Sequence, residues 1–305
     1  MSRIYIIGYG AIGKVLGVAL QLNNRNVSII RGSVSGQPLR KEKIIVESPS
    51  QQWEAEIETG SLEYFPSLDD GIIVLTNKSY GNEALSKSLR SKISTAPVVL
   101  LQNGLNVERP FLETGYEAVY RCVLFATSQI TNDTTVQFKP VAPSAVGVIK
   151  GKDNQLNEIV QQLHTDIFPF RTEKSILPVI WRKAIINCVF NSVCPLLETD
   201  NGIFHRDEQV LQIARRVVAE CVEIAAAEGI SLHTDEVMEN LLQISRSSDG
   251  LLISTYQDLL HKRETEISTL NMEIAEIARR LHKQHTVRET RLLGELILLK
   301  SKLHR

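Results

Sequence analysis

The sequence predicts an α/β first part built on a parallel sheet, followed by an all-helical second part. Three observations carry this. Short apolar, β-branched stretches alternate with helix-spaced stretches through the first half. From about Ser175 onward only helical periodicity remains. Between the first strand-like and the first helix-like stretch stands a glycine-rich turn, Gly8-Tyr9-Gly10-Ala11-Ile12-Gly13. The chain has 305 residues, enough for two domains. The pattern breaks near Phe168–Lys174, which predicts domains over 1–170 and 171–305.

The elements follow in order. Arg3–Ile7 is short and β-branched, as a strand should be. Ala11–Leu22 places Ile12, Val15, Leu16, Ala19 and Leu20 on one helix face. Val27–Ile30 is a second strand, and Ile44–Glu47 with Trp53–Glu58 form an exposed pair. Gly71–Thr76 and Ala96–Leu101 are nearly all apolar, the signature of strands buried on both faces. In the second half the spacing predicts helices over Pro178–Leu197, Asp207–Glu228, Thr234–Ser247, Ile253–Arg263, Glu266–His282 and Val287–Leu303. Asp235 and Glu236 sit in a first turn, where the helix dipole favours them, and Gly229 fits the position just past a helix end.

Composition narrows the function classes. The hydrophobic fraction is 43% and the charged fraction 23%, which are globular values. A formal net charge of -1 gives no global attraction to nucleic acid or to an anionic membrane. No uninterrupted apolar run approaches the ~20 residues that span a bilayer, and the N-terminal run reads as a strand rather than a signal peptide. Cys122, Cys188, Cys194 and Cys221 are widely spaced with no C-x-x-C pair. That spacing argues against zinc and a disulfide framework and for reduced thiols in a cytoplasmic protein, with no metal expected.

The glycine turn matches G-x-G-x-x-G in the context that confirms it, after a strand and opening a helix. Gly8 permits the tight turn, Gly10 lets a pyrophosphate approach the backbone, and Gly13 lets helix and strand pack closely. The helix N-terminus then offers N–H donors to the anion. The first part is therefore read as a Rossmann dinucleotide-binding domain. The residue after the second strand is Arg31, where an NAD site usually has a carboxylate. A planar guanidinium suits a 2′-phosphate, so NADPH/NADP+ is the expected cofactor. Lys78 and Arg40 are further cations near strand ends, and Asn103 follows the Ala96–Leu101 strand at the end that faces ligand in open sheets.

In the helical half, Lys183, Asn187 and Asn191 recur at i, i+4 and i+8 on an otherwise apolar helix. Such a polar stripe is costly unless it meets a ligand or partner groups; an inter-helix hydrogen-bond network is the competing explanation. Ser254 and Glu266 lie in a second polar group, with Glu266 at a helix start.

Together these motifs resemble the ketopantoate reductase (2-dehydropantoate 2-reductase) family over most of the chain: GYGAIG, Lys78, LLQNGL, WRKAIINCVFN and STYQDLLHKRETEISTLN, in that order. The resemblance implies a Rossmann domain followed by a helical domain, the active site in a cleft between them, and NADPH-dependent reduction of a 2-keto acid to a 2-hydroxy acid. It implies catalytic roles for Lys183 and Glu266, and substrate contacts from Asn103, Asn187, Asn191, Asn201 and Ser254. It assigns cofactor contacts to Gly8, Tyr9, Gly10, Ala11, Ile12, Gly13, Arg31, Lys78 and Asn103. The partner is then a small 2-keto acid; a homodimer is compatible, though the sequence does not define the oligomeric state.

Departures from the family pattern bear on the substrate. Leu251 stands where the family usually has an Asn that binds the hydroxyl end of ketopantoate. RCVLFATSQ replaces a more polar stretch, TTVQFKPVAPSAVG replaces a glycine-containing hairpin, Asn271-Met272 replaces an Asn-Gly, and Arg288 replaces a proline. These changes keep two alternatives open: a paralogue acting on another 2-keto acid, or a catalytically weak NADP(H)-binding sensor.

Overall fold

Apolar strands without alternation must be covered on both faces, and the computed structural model shows how. It describes residues 2–32 and 34–303. By internal contacts the chain divides into two units: Met1–Gln102 with Val107–Ile176, and Asn103–Asn106 with Leu177–Arg305.

The first unit holds strands β1 (Arg3–Ile7), β2 (Val27–Arg31), β3 (Arg40–Glu47), β4 (Gln52–Ser61), β5 (Gly71–Leu75), β6 (Val98–Leu100), β7 (Val119–Val123), β8 (Ala126–Ile130), β9 (Thr135–Pro140), β10 (Ser144–Lys150) and β11 (Phe170–Thr172). Its helices are α1 (Ala11–Leu22), α2 (Asn82–Arg90), α3 (Arg109–Glu113) and α4 (Asp153–Leu163). All strands join one sheet, in the order β11-β10-β7-β6-β5-β1-β2-β4-β3-β9-β8. The run β4-β2-β1-β5-β6-β7 is parallel throughout. That is the strand order of the doubly wound dinucleotide fold, with its reversal between β1 and β5.

Side chains of β1 alternate between two cores. Ile4 and Ile6 pack with α1 and α4 residues such as Val15, Leu16 and Ile159. Tyr5 and Ile7 pack with Leu89 of α2 and Phe111 of α3. Between β2 and β4 the crossover is made by β3, which returns antiparallel to β4. Polar strands β8 and β9 extend the sheet beyond β3.

Where β6 ends, polar groups are buried and paired. Asn82 Nδ2 donates to Gln102 Oε1 at 2.7 Å and to Val107 O at 2.8 Å, and Gln102 Nε2 donates to Asn77 O at 2.9 Å. Arg121 of β7 is 1% exposed; it forms an ion pair with Glu108 and donates to Gln102 O at 3.3 Å. This cluster ties the chain after β5 to the chain after β6.

The second unit contains α5 (Ile176–Leu196), α6 (Ile203–Arg206), α7 (Glu208–Ala227), α8 (Thr234–Ser247), α9 (Ser254–Leu260), α10 (Asn271–Arg280) and α11 (Arg288–Leu303). α5 is long and apolar enough on average to cross a membrane, although Arg182 and Lys183 interrupt its apolar run; 67% of its apolar window is buried within the protein. Asp207 caps α7, accepting from Gln209 N at 2.8 Å and Val210 N at 3.0 Å. Gly229 follows with φ +79°, the left-handed conformation that stops a helix there. Glu220 of α7 accepts from Glu289 N, Thr290 N and Thr290 Oγ1, and so caps α11 from the side.

The expected single helix over Glu266–His282 is corrected. A 3-10 turn, Glu266–Thr269, comes first, and α10 begins at Asn271 after Leu270 breaks the path at φ -114°, ψ -106°. The expected Ile253–Arg263 helix is shorter, Ser254–Leu260, and positive φ at Lys262 ends it.

The Arg121–Glu108 pair generates a stability test. Arg121→Met strands a buried carboxylate and is expected to destabilise the first unit by roughly 3–5 kcal/mol. Arg121→Met with Glu108→Leu should recover most of that loss, read by urea denaturation.

Candidate active site

The turn after β1 is shaped by what its glycines exclude. Gly8 has φ +125°, and a Cβ there would lie 2.7 Å from Asn77 N. A Cβ on Gly13 would lie 2.0 Å from Gly8 O, so α1 crosses β1 in backbone contact. A Cβ on Gly10 meets nothing within 4 Å. The N-terminus of α1 has no side-chain cap and no acid in its first turn. Unclaimed N–H groups beside an open backbone are what a pyrophosphate needs, so these residues fit a dinucleotide. Tyr9, Ala11 and Ile12 are half-buried on the same turn. Lys78 is half-buried just past β5, where Asn77 Oδ1 is buried without a hydrogen-bond partner.

Arg31, at the end of β2, is held by two partners. Its guanidinium lies 3.7 Å from the Tyr9 ring centroid. Its NH2 pairs with Glu42 Oε2 at 2.5 Å, while its Nε is buried with no hydrogen-bond partner. Glu42, on β3, also accepts from Tyr9 OH at 2.5 Å and from Arg40 Nε at 2.6 Å. Burial alone would raise the Glu42 carboxyl, but the donors Tyr9, Arg40 and Arg31 outweigh it and bring it down to about 2. Tyr9 is pushed up to about 12, first by burial and then by its bond to Glu42.

Lys14 of α1 completes the cluster. It is 2% exposed, donates to Asp133 O at 2.5 Å, and lies 4.4 Å from the Tyr9 ring centroid. Burial, then the neighbouring Arg31, lowers its pKa. Neither Glu42 nor Lys14 was among the residues expected from the sequence. Lys14 left a signal, a lone cation inside an apolar helix directly after the glycine motif. Glu42 left none, because it reaches Arg31 only through the β3–β4 hairpin.

The second unit gathers most of the remaining expected residues. Lys183, Asn187 and Asn191 do lie on successive turns of α5, with Lys183 and Asn187 half-buried and Asn191 2% exposed. Asn191 Nδ2 donates to Asn187 O at 2.9 Å, and its Oδ1 accepts from Ser254 Oγ and Thr255 N, each at 3.3 Å. Asn191 thereby pins the start of α9 to α5 and brings Ser254 beside the stripe.

Glu266 opens the 3-10 turn, half-buried, and its carbonyl accepts from Thr269 Oγ1. Thr269 O accepts from Leu105 N at 2.8 Å, and Asn106 Nδ2 donates to Glu273 Oε1 at 2.7 Å. Gly104, at φ +103°, allows this, since a Cβ there would lie 2.4 Å from Thr269 Oγ1. The stretch carrying Asn103 is therefore stapled to the turn carrying Glu266.

Asn201 lies in the loop between α5 and α6. Its N–H donates to Leu251 O at 2.9 Å, and its Oδ1 is buried without a hydrogen-bond partner. Asp200 beside it accepts from Gly202 N and Gly250 N and is gripped by Arg206, which lowers its carboxyl to about 2. That clamp fixes the loop of Asn201 to the loop of Leu251, which is 53% exposed. The four cysteines are free and buried.

Residues 4–150 match the family model described as ketopantoate reductase PanE/ApbA, and residues 175–293 match its C-terminal counterpart. A 2-dehydropantoate 2-reductase of Pyrococcus horikoshii is 26% identical over 278 residues, covering 91% of each chain. The solved dimeric ketopantoate reductase from Staphylococcus aureus superposes with a TM-score of 0.81 at 17% identity, over 99% of this chain and 100% of that one. D-mandelate dehydrogenase, solved with NADH and anilino(oxo)acetate, gives 0.83 at 21% identity over 99% of each chain.

The Glu42 cluster predicts a pH signature. Its carboxyl sits below its ordinary 4.5, so the stability it contributes is present above that value and is lost as pH falls toward about 2. Glu42→Gln should lower the urea midpoint at pH 7, and the gap from wild type should narrow on moving from pH 5 to pH 3. A gap independent of pH would remove the ionised carboxylate as its cause.

Proposed function

The chain belongs to the ketopantoate reductase family, and we propose that it uses NADPH to reduce a 2-keto acid to the 2-hydroxy acid, with 2-dehydropantoate the leading substrate. It is an oxidoreductase acting on CH–OH groups. The observation that carries the finer reading is the α5 stripe: a lysine and two amides on one face of a mostly apolar helix, tied through Asn191 to Ser254. A sensor has no need of a proton donor there.

Ketone reduction needs a hydride at carbon and a proton at oxygen. The nicotinamide supplies the hydride when bound. Lys183, as ammonium, hydrogen-bonds the keto oxygen and delivers the proton from Nζ as negative charge develops. Glu266 orients that ammonium or a substrate hydroxyl. Asn103, Asn187 and Asn201 offer neutral donors to the substrate, binding a carboxylate without adding charge, while Ser254, whose proton goes to Asn191, offers an acceptor to a substrate hydroxyl. Asn191 has both ends of its amide engaged and serves chiefly to hold Ser254 in place.

NADPH is preferred over NADH because cations outnumber carboxylates where β2 ends: Arg31, Arg40 and Lys14 against Glu42 and Asp133. Gly8–Gly13 hold the pyrophosphate, Lys78 and Asn103 add further contacts, and Arg31 takes the 2′-phosphate. A reduced, cytoplasmic setting agrees with the four free thiols.

A second reading is favoured by Leu251. An apolar side chain, 53% exposed, stands where the family binds the ketopantoate hydroxyl. It supports a paralogue that takes a less polar 2-keto acid, and the D-mandelate dehydrogenase relative has the same fold.

The deciding experiment follows NADPH consumption across a panel of 2-keto acids that includes ketopantoate. Turnover of ketopantoate supports the leading substrate, turnover of an apolar keto acid alone supports the paralogue, and silence across the panel supports the sensor. Lys183→Ala should lower kcat by roughly 100-fold or more while NADPH affinity, measured by calorimetry, stays within a few-fold. Arg31→Ala should weaken NADPH far more than NADH, and equal losses would count against the 2′-phosphate contact.

A further inference from the structure

The end of β2 carries an anion of the protein's own. Glu42 stands on β3, two strands from Arg31 in the sheet order, with β4 between them. Arg40 and Glu42 are two residues apart on one strand, so their side chains share a face. The Glu42 carboxylate collects donors from both strands. Its Oε2 accepts from Tyr9 OH and Arg31 NH2, each at 2.5 Å, and its Oε1 accepts from Arg40 Nε and NH2, each at 2.6 Å. Two guanidiniums and a hydroxyl around one set of anionic oxygens are the donors that would hold a phosphate monoester. The Glu42 side chain is 14% exposed and that of Arg31 18%, so solvent screens the pair weakly.

Resting on the reading that Arg31 takes the 2′-phosphate, we propose that Glu42 is a specificity-determining residue. It competes with that phosphate for Arg31 and so holds the preference for NADPH over NADH to a narrow margin. Glu42 is ionised at neutral pH, since against the effect of burial its donors bring it down to about 2. A 2′-phosphate adds about 1.5 to 2 negative charges at pH 7. It must displace Glu42 from Arg31 and Tyr9, or share them beside a like charge, and either course lowers affinity. The 2′-hydroxyl of NADH is uncharged and leaves the Glu42 bonds in place. A hydroxyl beside a carboxylate is also the arrangement that NAD sites use.

Glu42 could act in the opposite sense, by aiming Arg31 at the phosphate. Its removal would then weaken NADPH rather than tighten it. The stacking contact decides between the two. The Arg31 guanidinium lies 3.7 Å from the centroid of the Tyr9 ring, so it stays aimed without Glu42. Tyr9 in turn belongs to the glycine turn, whose backbone contacts fix it. The other charges of the cluster do not relieve the competition. Lys14 commits Nζ to Asp133 O at 2.5 Å and is 2% exposed, so it brings no donor to the phosphate. Arg40 is 61% exposed and already pairs with Glu42. The donors that a phosphate would use are thus the ones that Glu42 holds.

Calorimetric titration of the full chain with NADPH and with NADH tests this without turnover. Wild type should bind the two with dissociation constants within about 10-fold of each other. Glu42→Gln keeps the size and an acceptor oxygen but removes the charge. It should tighten NADPH by about 10-fold or more and move NADH by no more than about 3-fold. A purely structural Glu42 would move both cofactors together. Equal shifts of the two, or NADPH unchanged or weaker in Glu42→Gln, overturn the proposal. So does a wild-type preference for NADPH beyond that 10-fold margin, a measurement that needs no variant and is indifferent to the stability of Glu42→Gln. Arg31→Ala separates the proposal from the reading it rests on. Equal losses of both cofactors overturn the 2′-phosphate contact and the proposal with it. Selective loss of NADPH in Arg31→Ala, without tightening in Glu42→Gln, overturns the proposal alone.

Discussion

The contact on which the nucleotide side of this protein depends is backbone against backbone. Gly13 passes so close to Gly8 that no side chain fits between them. That approach puts the N-terminus of α1 directly over the end of β1, at the point where the strand order of the sheet reverses. Everything else around the turn is placed by it. Tyr9 projects toward Arg31, and Lys14 is drawn under the same ring. The open backbone at Gly10 faces outward, with uncapped amides behind it.

Arg31 shows how a residue's neighbours alter its role. An isolated guanidinium after β2 reads simply as a phosphate hook. In the folded chain it stacks on Tyr9 and shares Glu42 with Arg40. The carboxylate preorganises the arginine while occupying one of its donors. Under the proposed function, cofactor preference rests on a balance of several charges rather than on one residue, and the balance spans β2, β3 and α1.

The helical unit uses buried polar groups as fasteners. Asn191 joins α5 to α9, Asp200 joins the loops of Asn201 and Leu251, and Thr269 joins the Asn103 stretch to the Glu266 turn. Each fastener is bonded to, or stands within three residues of, a residue proposed for the site. A polar residue that is costly to bury is retained where it both satisfies its own bonds and positions a neighbour.

Sequence alone determined the α/β-then-α architecture, the glycine turn, and the i, i+4, i+8 stripe of Lys183, Asn187 and Asn191. These follow from local periodicity and from steric needs that only glycine meets. Most of the helix limits were also legible, down to Thr234–Ser247 and the stop at Gly229. Strands β7 to β11 were not, because short polar or mixed strands carry little period-two signal once pairing decides their faces. The 3-10 turn at Glu266 also escaped, since its helical spacing hides the break at Leu270. Only tertiary structure brought Glu42 to Arg31 and stapled Asn103 to the turn of Glu266. Each depends on which distant surface a residue meets, and one-dimensional patterning does not encode that.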